Sequence, residues 1–199
     1  TVHCGEILSL LGENGSGKTT LMNMISGIYH PDEGQIIING EEAHINSPHD
    51  AFEYKIGMIH QHFKLVDVFT ATENIILGLE ESDKYNLTNA AKRVKEIGER
   101  YGFIIDPYKK VYEMSVSQKQ TVEIVKVLYR GADILILDEA TSNVDSRTEI
   151  KIQEALSELM KGRTCFIIAH RLSTIRECDR IIYLENGKIV EDGTYDELI

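Results

Sequence analysis

The chain has 199 residues, of which 42% are hydrophobic and 27% are charged, and its formal net charge is −11. This length can bury a good core, and the composition is ordinary for a globular protein, so together they predict a single globular domain, residues 1–199. The acidic balance argues against nucleic acid as a partner, because non-specific binding to it depends on lysine and arginine at the phosphates.

The first predicted elements enclose a glycine-rich loop. Glu6 to Leu11 has the pattern of a short buried strand, and Leu21 to Ile28 has helical apolar spacing. Between them, GENGSGKTT at residues 12–20 fits the phosphate-binding pattern G-x-x-x-x-G-K-S/T. A strand before the loop and a helix after it are the context that this pattern requires. The loop therefore predicts binding of a nucleoside triphosphate.

The residue types of this loop suit phosphate. Its glycines let the backbone turn N–H groups onto phosphate oxygens, and the following helix offers its positive N-terminus to the same anion. We expect Lys18 to reach the β- and γ-phosphates and the Thr19 hydroxyl to ligate Mg²⁺. The alternative is a glycine-rich turn with an incidental lysine. The candidate nucleotide-binding residues are Gly12, Glu13, Asn14, Gly15, Ser16, Gly17, Lys18, Thr19 and Thr20.

Short strands and helices alternate along the rest of the chain. Asn-Gly pairs between apolar runs predict two hairpins, one at residues 35–45 and one around Asn186-Gly187. The other predicted strands are Ile56–Ile59, Ile134–Leu137 and Cys165–Ala169. The predicted helices are Thr88–Tyr101, about Ser117 to Arg130, Ser146 to about Leu159, Leu172–Ile175 and one beginning near Tyr195. This alternation predicts an α/β fold with a largely parallel sheet that binds phosphates at its C-terminal edge.

An acidic pair ends the apolar strand ILIL. A buried parallel strand would deliver Asp138 and Glu139 to the sheet edge where the phosphate loop also lies. We expect Asp138 to hold Mg²⁺ through its water shell, and Glu139 to act as general base on the attacking water. The alternative is that the two carboxylates cap the next helix.

Several segments, taken together, resemble the nucleotide-binding domain of an ATP-binding cassette (ABC) transporter. They are GENGSGKTT, Gln61 in MIHQHF, MSVSQKQTVEI at 114–124, ILILDEATSNVD at 134–145 and IIAHRLSTI at 167–175. The resemblance implies a P-loop ATPase fold with an antiparallel β part and a helical subdomain at about residues 65–130. It also implies that two such domains face head to tail, with ATP between one chain's phosphate loop and the other chain's signature motif, and drive a transmembrane partner.

The resemblance also implies roles for single residues. Gln61 would touch Mg²⁺ and the lytic water and sense the membrane partner, and His170 would contact the γ-phosphate and help to orient Glu139. Asp145 would belong to the loop that crosses the dimer interface. The signature residues expected at the partner's nucleotide are Ser115, Ser117 and Gln118. Without the other motifs, each residue has a simpler alternative role. Gln61 would be a polar residue at the end of a strand, His170 would be a structural residue, and Asp145 would be a helix cap.

Membrane contact is expected only through partners. No apolar run reaches the roughly 18 residues of a membrane-spanning helix, and residues 1–20 do not have the layout of a signal peptide. The cysteines are odd in number and far apart, which predicts reduced thiols rather than a disulfide framework or a metal site. They are Cys4, Cys165 and Cys178. The expected location is the cytoplasmic face of a membrane.

The signature departs from the usual L-S-G-G-Q of the family, because Ser117 stands at the second glycine. A Cβ there crowds the approach of backbone N–H groups to the opposite γ-phosphate. The sequence also predicts an S-x-x-Q capping box formed by Ser117 and Gln120, which would occupy the same N–H groups. The hypothesis that follows is that the signature motif contributes only weakly to the ATP site it shares with the other chain. The alternative function is a partner subunit that binds ATP but hydrolyses it poorly.

The chain departs from the family pattern in two further ways. The family has a strand and an adenine-stacking aromatic residue upstream of the phosphate loop, which the chain as given starts too late to hold. Residues up to about 137 resemble importers of nucleosides or simple sugars, and residues 140–199 resemble exporter domains, with Ala140 where such importers carry proline. This mixture of importer-like and exporter-like portions predicts a natural hybrid or an engineered chimeric cassette. A cassette ATPase that acts on ribosomes or DNA is disfavoured by the acidic charge.

Overall fold

The computed structural model describes residues 1–60, 63–79, 86–138, 154, 156–169 and 172–198. The chain divides into two compact units. The first comprises Thr1–Ile59, Ala132–Glu139 and Met160–Ile199, and the second comprises His60–Gly131 and Ala140–Leu159. Among the described residues, no helix is both long and apolar enough to span a bilayer.

A six-stranded sheet organises the first unit. Its strands are β1 (Ile7–Leu11), β4 (Ile56–Ile59), β5 (Ile134–Asp138), β6 (Thr164–Ile168), β7 (Arg180–Glu185) and β8 (Lys188–Gly193). Their order across the sheet is β4-β5-β6-β1-β7-β8. Every neighbouring pair is parallel except β7 and β8. The mainly parallel α/β sheet expected from the sequence is therefore confirmed.

The apolar runs of these strands build the core of the first unit. Leu8 and Leu10 of β1, Ile136 of β5 and Ile168 of β6 pack with Met22 in one buried cluster. Met22 lies on α1 (Lys18–Ile25), which follows the phosphate loop. The helix ends at Ile25, with Ser26 as its C-cap before Gly27 with φ 75°, although helical spacing had predicted its continuation to Ile28. Burial on both faces explains why these strands are continuous apolar runs.

Both predicted hairpins are present. The first consists of β2 (Ile36–Ile38) and β3 (Glu41–Ala43), and the second of β7 and β8. Asn39 and Gly40 have φ of 54° and 86°, and Asn186 and Gly187 have φ of 50° and 75°. Positive φ at both central residues defines the turn that an Asn-Gly pair favours. The first unit also contains α2 (Pro48–Glu53), which the sequence analysis did not predict.

Helices form the second unit. They include α3 (Ala71–Ile76), α4 (Leu87–Arg100), α5 (Val116–Tyr129) and a 3₁₀ turn at Val111–Glu113. Ala90 and Val94 of α4 pack with α3 and α5 in a second core cluster. The charged face of α4 carries exposed i,i+4 pairs, Lys92–Glu96 and Lys95–Glu99, as its sequence pattern predicts. The first unit also contains α6 (Leu172–Arg176) and α7 (Tyr195–Leu198).

Candidate functional site

The phosphate loop lies between β1 and α1, and its backbone requires glycine. Gly12, Gly15 and Gly17 have φ of 144°, 84° and 101°. A Cβ at Gly12 would lie 2.1 Å from the carbonyl oxygen of Leu184 and 2.7 Å from Ser16 Oγ. The backbone of β7 therefore packs directly against the start of the loop, and a larger residue at this position would displace it.

The Lys18 side chain folds back over this loop. Its Nζ donates hydrogen bonds to the carbonyl oxygens of Gly12 at 2.7 Å and Glu13 at 2.8 Å, and to Ser16 Oγ at 3.3 Å. Only 7% of Lys18 is exposed. The ammonium group is thus held at the N-terminal end of α1, where the helix dipole also contributes positive potential. An anion is the ligand that suits this position.

Among the described residues, no side chain caps the start of α1 with a hydrogen bond. Its N-cap is Gly17 in the left-handed conformation. The first N–H groups of a helix need acceptors from outside the helix, and phosphate oxygens are such acceptors. The residues beside this end that are exposed, and so accessible to a nucleotide, are Glu13, Asn14, Gly15, Thr19 and Thr20. This donor set fits a bound triphosphate.

The carboxyl ends of the five parallel strands meet at one edge of the sheet, and four of these strands precede predicted site residues. β1 ends at Leu11, β4 at Ile59, β5 at Asp138 and β6 at Ile168, and Asp138 is paired in register with Ile168. Asp138 is half-buried at this edge. The phosphate loop begins at the same edge, directly after Leu11. The structure therefore places the loop and Asp138, the predicted Mg²⁺ ligand, at the same edge of the sheet.

Four predicted site residues lie outside the described residues. They are Gln61, Glu139, Asp145 and His170. In the sequence, Gln61 follows the end of β4 by two residues, Glu139 follows the end of β5 by one, and His170 follows the end of β6 by two. Their roles stay predictions.

The signature motif begins α5, but its capping box differs from the predicted one. Ser115 is the N-cap: its Oγ accepts from the Gln118 N–H at 3.3 Å, and its own N–H donates to Gln118 Oε1 at 3.1 Å. The predicted box of Ser117 and Gln120 is wrong. Both serines fit S-x-x-Q, and the extended backbone of Ser115 after the 3₁₀ turn selects the earlier one.

Ser117 consequently lies in the first turn of α5. Its Oγ lies 2.8 Å from Ser115 Oγ, so the two signature hydroxyls share a hydrogen bond. Gln118 Oε1 also accepts from Lys109 Nζ at 3.1 Å, which ties the signature to the preceding loop. Because Ser115 already caps the helix, only the Cβ and hydroxyl of Ser117 remain as a reason for a weakened signature.

Sequence reasoning overlooked two buried polar residues of the second unit. Asn74 is 1% exposed, and Glu123 is 2% exposed. The carboxylate of Glu123 accepts from the Lys64 N–H at 2.7 Å. The signal for Glu123 was present in the sequence, since a carboxylate inside the apolar run VEIVKVL of a predicted helix has to be buried with a partner.

Comparison with protein families gives a match to the ABC transporter family over residues 1–142. A solved structure, the dimeric post-hydrolysis state of the ATP-binding cassette MJ0796 bound to ADP and Pi, is similar with a TM-score of 0.75 and 26% sequence identity. The similarity covers 98% of this chain and 87% of that one.

Curated relatives include both import and export proteins. The nucleoside import ATP-binding protein NupA of Lactococcus lactis is 46% identical, and the alignment covers 98% of this chain and 40% of that protein. The beta-(1→2)glucan export ATP-binding/permease protein NdvA of Agrobacterium fabrum is 36% identical, and the alignment covers 100% of this chain and 34% of that protein. The chain thus spans about two fifths of the length of the first relatives. Both alignments extend over nearly the whole chain, so a division near residue 137 stays a prediction.

Proposed function

Because the chain belongs to the ABC transporter family, we propose that it binds MgATP in its phosphate loop and hydrolyses it to drive transport by a membrane partner. The observation that carries this proposal is the arrangement at the start of α1. A buried lysine ammonium and a helix N-terminus without a side-chain cap converge on one place. Together they supply the positive charge and the N–H donors that a triphosphate needs.

The chain's own residues account for binding and for the proton transfer. Loop N–H groups and Lys18 would hold the β- and γ-phosphates. The Thr19 hydroxyl, Asp138 and Gln61 would hold Mg²⁺, which neutralises negative charge on the phosphates when it is bound. Glu139, the residue after Asp138, would take a proton from the attacking water as general base. His170 would steady the γ-phosphate and the water.

Each ATP site is proposed to need a second chain. The signature end of α5 would meet the nucleotide held by the phosphate loop of the partner cassette, whether that cassette is a second copy or a related chain. The dimeric ATP-binding cassette of known structure supports this arrangement. A transmembrane partner is supported by exposed apolar side chains near the segment that follows Gln61: Val68 is 64% exposed and Tyr112 is 62% exposed. The cytoplasmic face of a membrane would be the location.

The test of this function is MgATP binding and turnover by the full-length protein. We expect a dissociation constant in the micromolar to millimolar range, about −8 to −4 kcal/mol, and release of ADP and phosphate that requires Mg²⁺. Isothermal titration measures the first and a phosphate-release assay the second. A folded protein that binds neither ATP nor ADP would refute the proposal.

Ser117 supports a second candidate, a cassette that clamps ATP in a dimer but hydrolyses it slowly. Replacing it by glycine removes the Cβ and the hydroxyl that Ser115 Oγ contacts at 2.8 Å. We expect Ser117→Gly to raise kcat by about 3- to 10-fold, because one improved interaction in the transition state contributes roughly 1 kcal/mol. The assay is steady-state hydrolysis at saturating MgATP.

Glycine at the second helical position also lowers helix stability, by up to about 1 kcal/mol. The matched control is therefore Ser157→Gly, a serine that lies outside the signature. An unchanged or lower rate for Ser117→Gly, with the control unaffected, would show that Ser117 does not weaken the signature.

A further inference from the structure

A buried carboxylate links the signature helix to the segment that follows Gln61. Glu123 lies seven residues beyond the first residue of α5, about 10 Å along the helix axis. Its Oε1 accepts from the Lys64 N–H at 2.7 Å, and the two residues are 59 positions apart in the chain. A carboxylate this deeply buried is costly unless it is hydrogen-bonded, so the contact holds both partners in place.

The same helix face fixes the far end of that segment. Arg130, two turns beyond Glu123, donates to the carbonyl oxygen of Leu77 at the end of α3. Burial lowers the pKa of Lys126 and of Arg130, and the negative charge of Glu123 offsets part of this effect for both. Glu123 is therefore the acidic member of a charged row on α5, next to Val122 and Val125 of the second core.

Between Lys64 and Leu77, hydrogen bonds within the segment hold it together. Asn74 accepts from the Val66 N–H at 2.7 Å through Oδ1 and donates to the Val66 and Thr70 carbonyl oxygens through Nδ2. Leu65, next to Lys64, packs against the second core. Displacement of Lys64 would thus move residues 64–77 and α5 together rather than bend the loop between them.

We propose that Glu123 is a positioning residue that couples the two ATP sites of the dimer. This inference rests on the proposed function: Gln61 serves the ATP of its own chain, and the N-terminus of α5 serves the ATP of the partner. Lys64 follows Gln61 by three residues, and Glu123 joins it to the helix that carries Ser115. A shift at one nucleotide is transmitted through this contact to the other.

Two substitutions at Glu123 test the hydrogen-bond acceptor and the negative charge separately. Glu123→Gln retains an Oε1 that can accept from the Lys64 N–H and removes the charge. Glu123→Asp retains the charge and withdraws the acceptor by one methylene, about 1.5 Å. The control for lost packing is Val125→Ala, a fully buried residue of the same helix.

The readouts are hydrogen exchange at the Lys64 amide and steady-state hydrolysis by the full-length protein over a range of MgATP concentrations. For Glu123→Asp we expect exchange at least about 10-fold faster, because the amide loses its acceptor. We expect its kcat to fall about 5- to 20-fold with KM within about twofold, and its Hill coefficient to fall from above 1 to about 1, as for lost coupling between sites. Glu123→Gln retains the slow exchange and the cooperativity.

Val125→Ala distinguishes coupling from stability, since it lowers the midpoint of unfolding without changing the Hill coefficient. The inference is overturned if the unsubstituted protein hydrolyses ATP without cooperativity, if Glu123→Asp and Glu123→Gln behave alike, or if Glu123→Asp exposes the Lys64 amide with the Hill coefficient unchanged. A failure of the proposed function is distinguishable, because it abolishes ATP binding in every variant while exchange at Lys64, which needs no turnover, still reports the contact.

Discussion

Replacing Lys18 by methionine is expected to lower ATP hydrolysis by about 100- to 1,000-fold and to weaken ATP binding at least about 10-fold, the size of effect seen when one preorganised donor to a developing charge is removed. The ammonium group lies 2.7 Å and 2.8 Å from two loop carbonyl oxygens, so it is already where the phosphates are expected. Isothermal titration and phosphate release measure the two effects.

Loss of these hydrogen bonds also affects the fold. A buried acceptor left without its donor costs about 1–3 kcal/mol, so Lys18→Met is expected to unfold at a lower temperature as well. Affinity is therefore to be measured well below that temperature. The matched control is Lys188→Met, an exposed lysine of β8 in the same unit. ATP binding by Lys18→Met at the strength of the control would contradict the assignment of the phosphate loop.

Glu139→Gln is expected to lower kcat by about 100- to 10,000-fold, because a positioned general base contributes about that much. The proposed phosphate contacts of Lys18 and the proposed Mg²⁺ ligand Asp138 are unchanged, so the affinity for ATP should stay within about threefold. Under the proposed function, hydrolysis would open the dimer, so the ATP-bound dimer should accumulate in this variant. Single-turnover hydrolysis measures the first effect, and light scattering with MgATP measures the second.

This substitution also separates the two interpretations of the acidic pair. If Asp138 and Glu139 only cap a helix, Glu139→Gln would reduce stability by roughly 1 kcal/mol or less and leave turnover intact. The matched control is Glu185→Gln, an exposed carboxylate at the end of β7. Wild-type turnover in Glu139→Gln would exclude this residue as the base.

Features that depend on a few neighbouring residues were predictable. The phosphate loop, the two Asn-Gly turns and the apolar strands are specified by backbone demands at positive φ and by burial on both faces of a parallel sheet. Two short helices were overlooked although their signals were local. Ser47-Pro48 begins α2, and Thr70 with Glu73 forms a capping box that begins α3.

The start of α5 shows where local signals compete. Two overlapping S-x-x-Q matches are equally good in the sequence, and the chain can use only one as its N-cap. The 3₁₀ turn at Val111–Glu113 delivers Ser115 with extended backbone, and this decides in its favour. The doubt about the signature consequently rests on the volume of Ser117, not on a capping bond.

The nucleotide-binding character of the protein could be inferred from the sequence, because the loop, its strand and its helix are contiguous and each residue type has a local chemical reason. Which distant groups meet becomes visible only in the folded chain: β1 lies between β6 and β7, Gly12 lies against the backbone of Leu184, and Glu123 accepts from the Lys64 N–H. These contacts join positions far apart in the chain, and their partners are set by sheet order and helix packing rather than by spacing along the sequence.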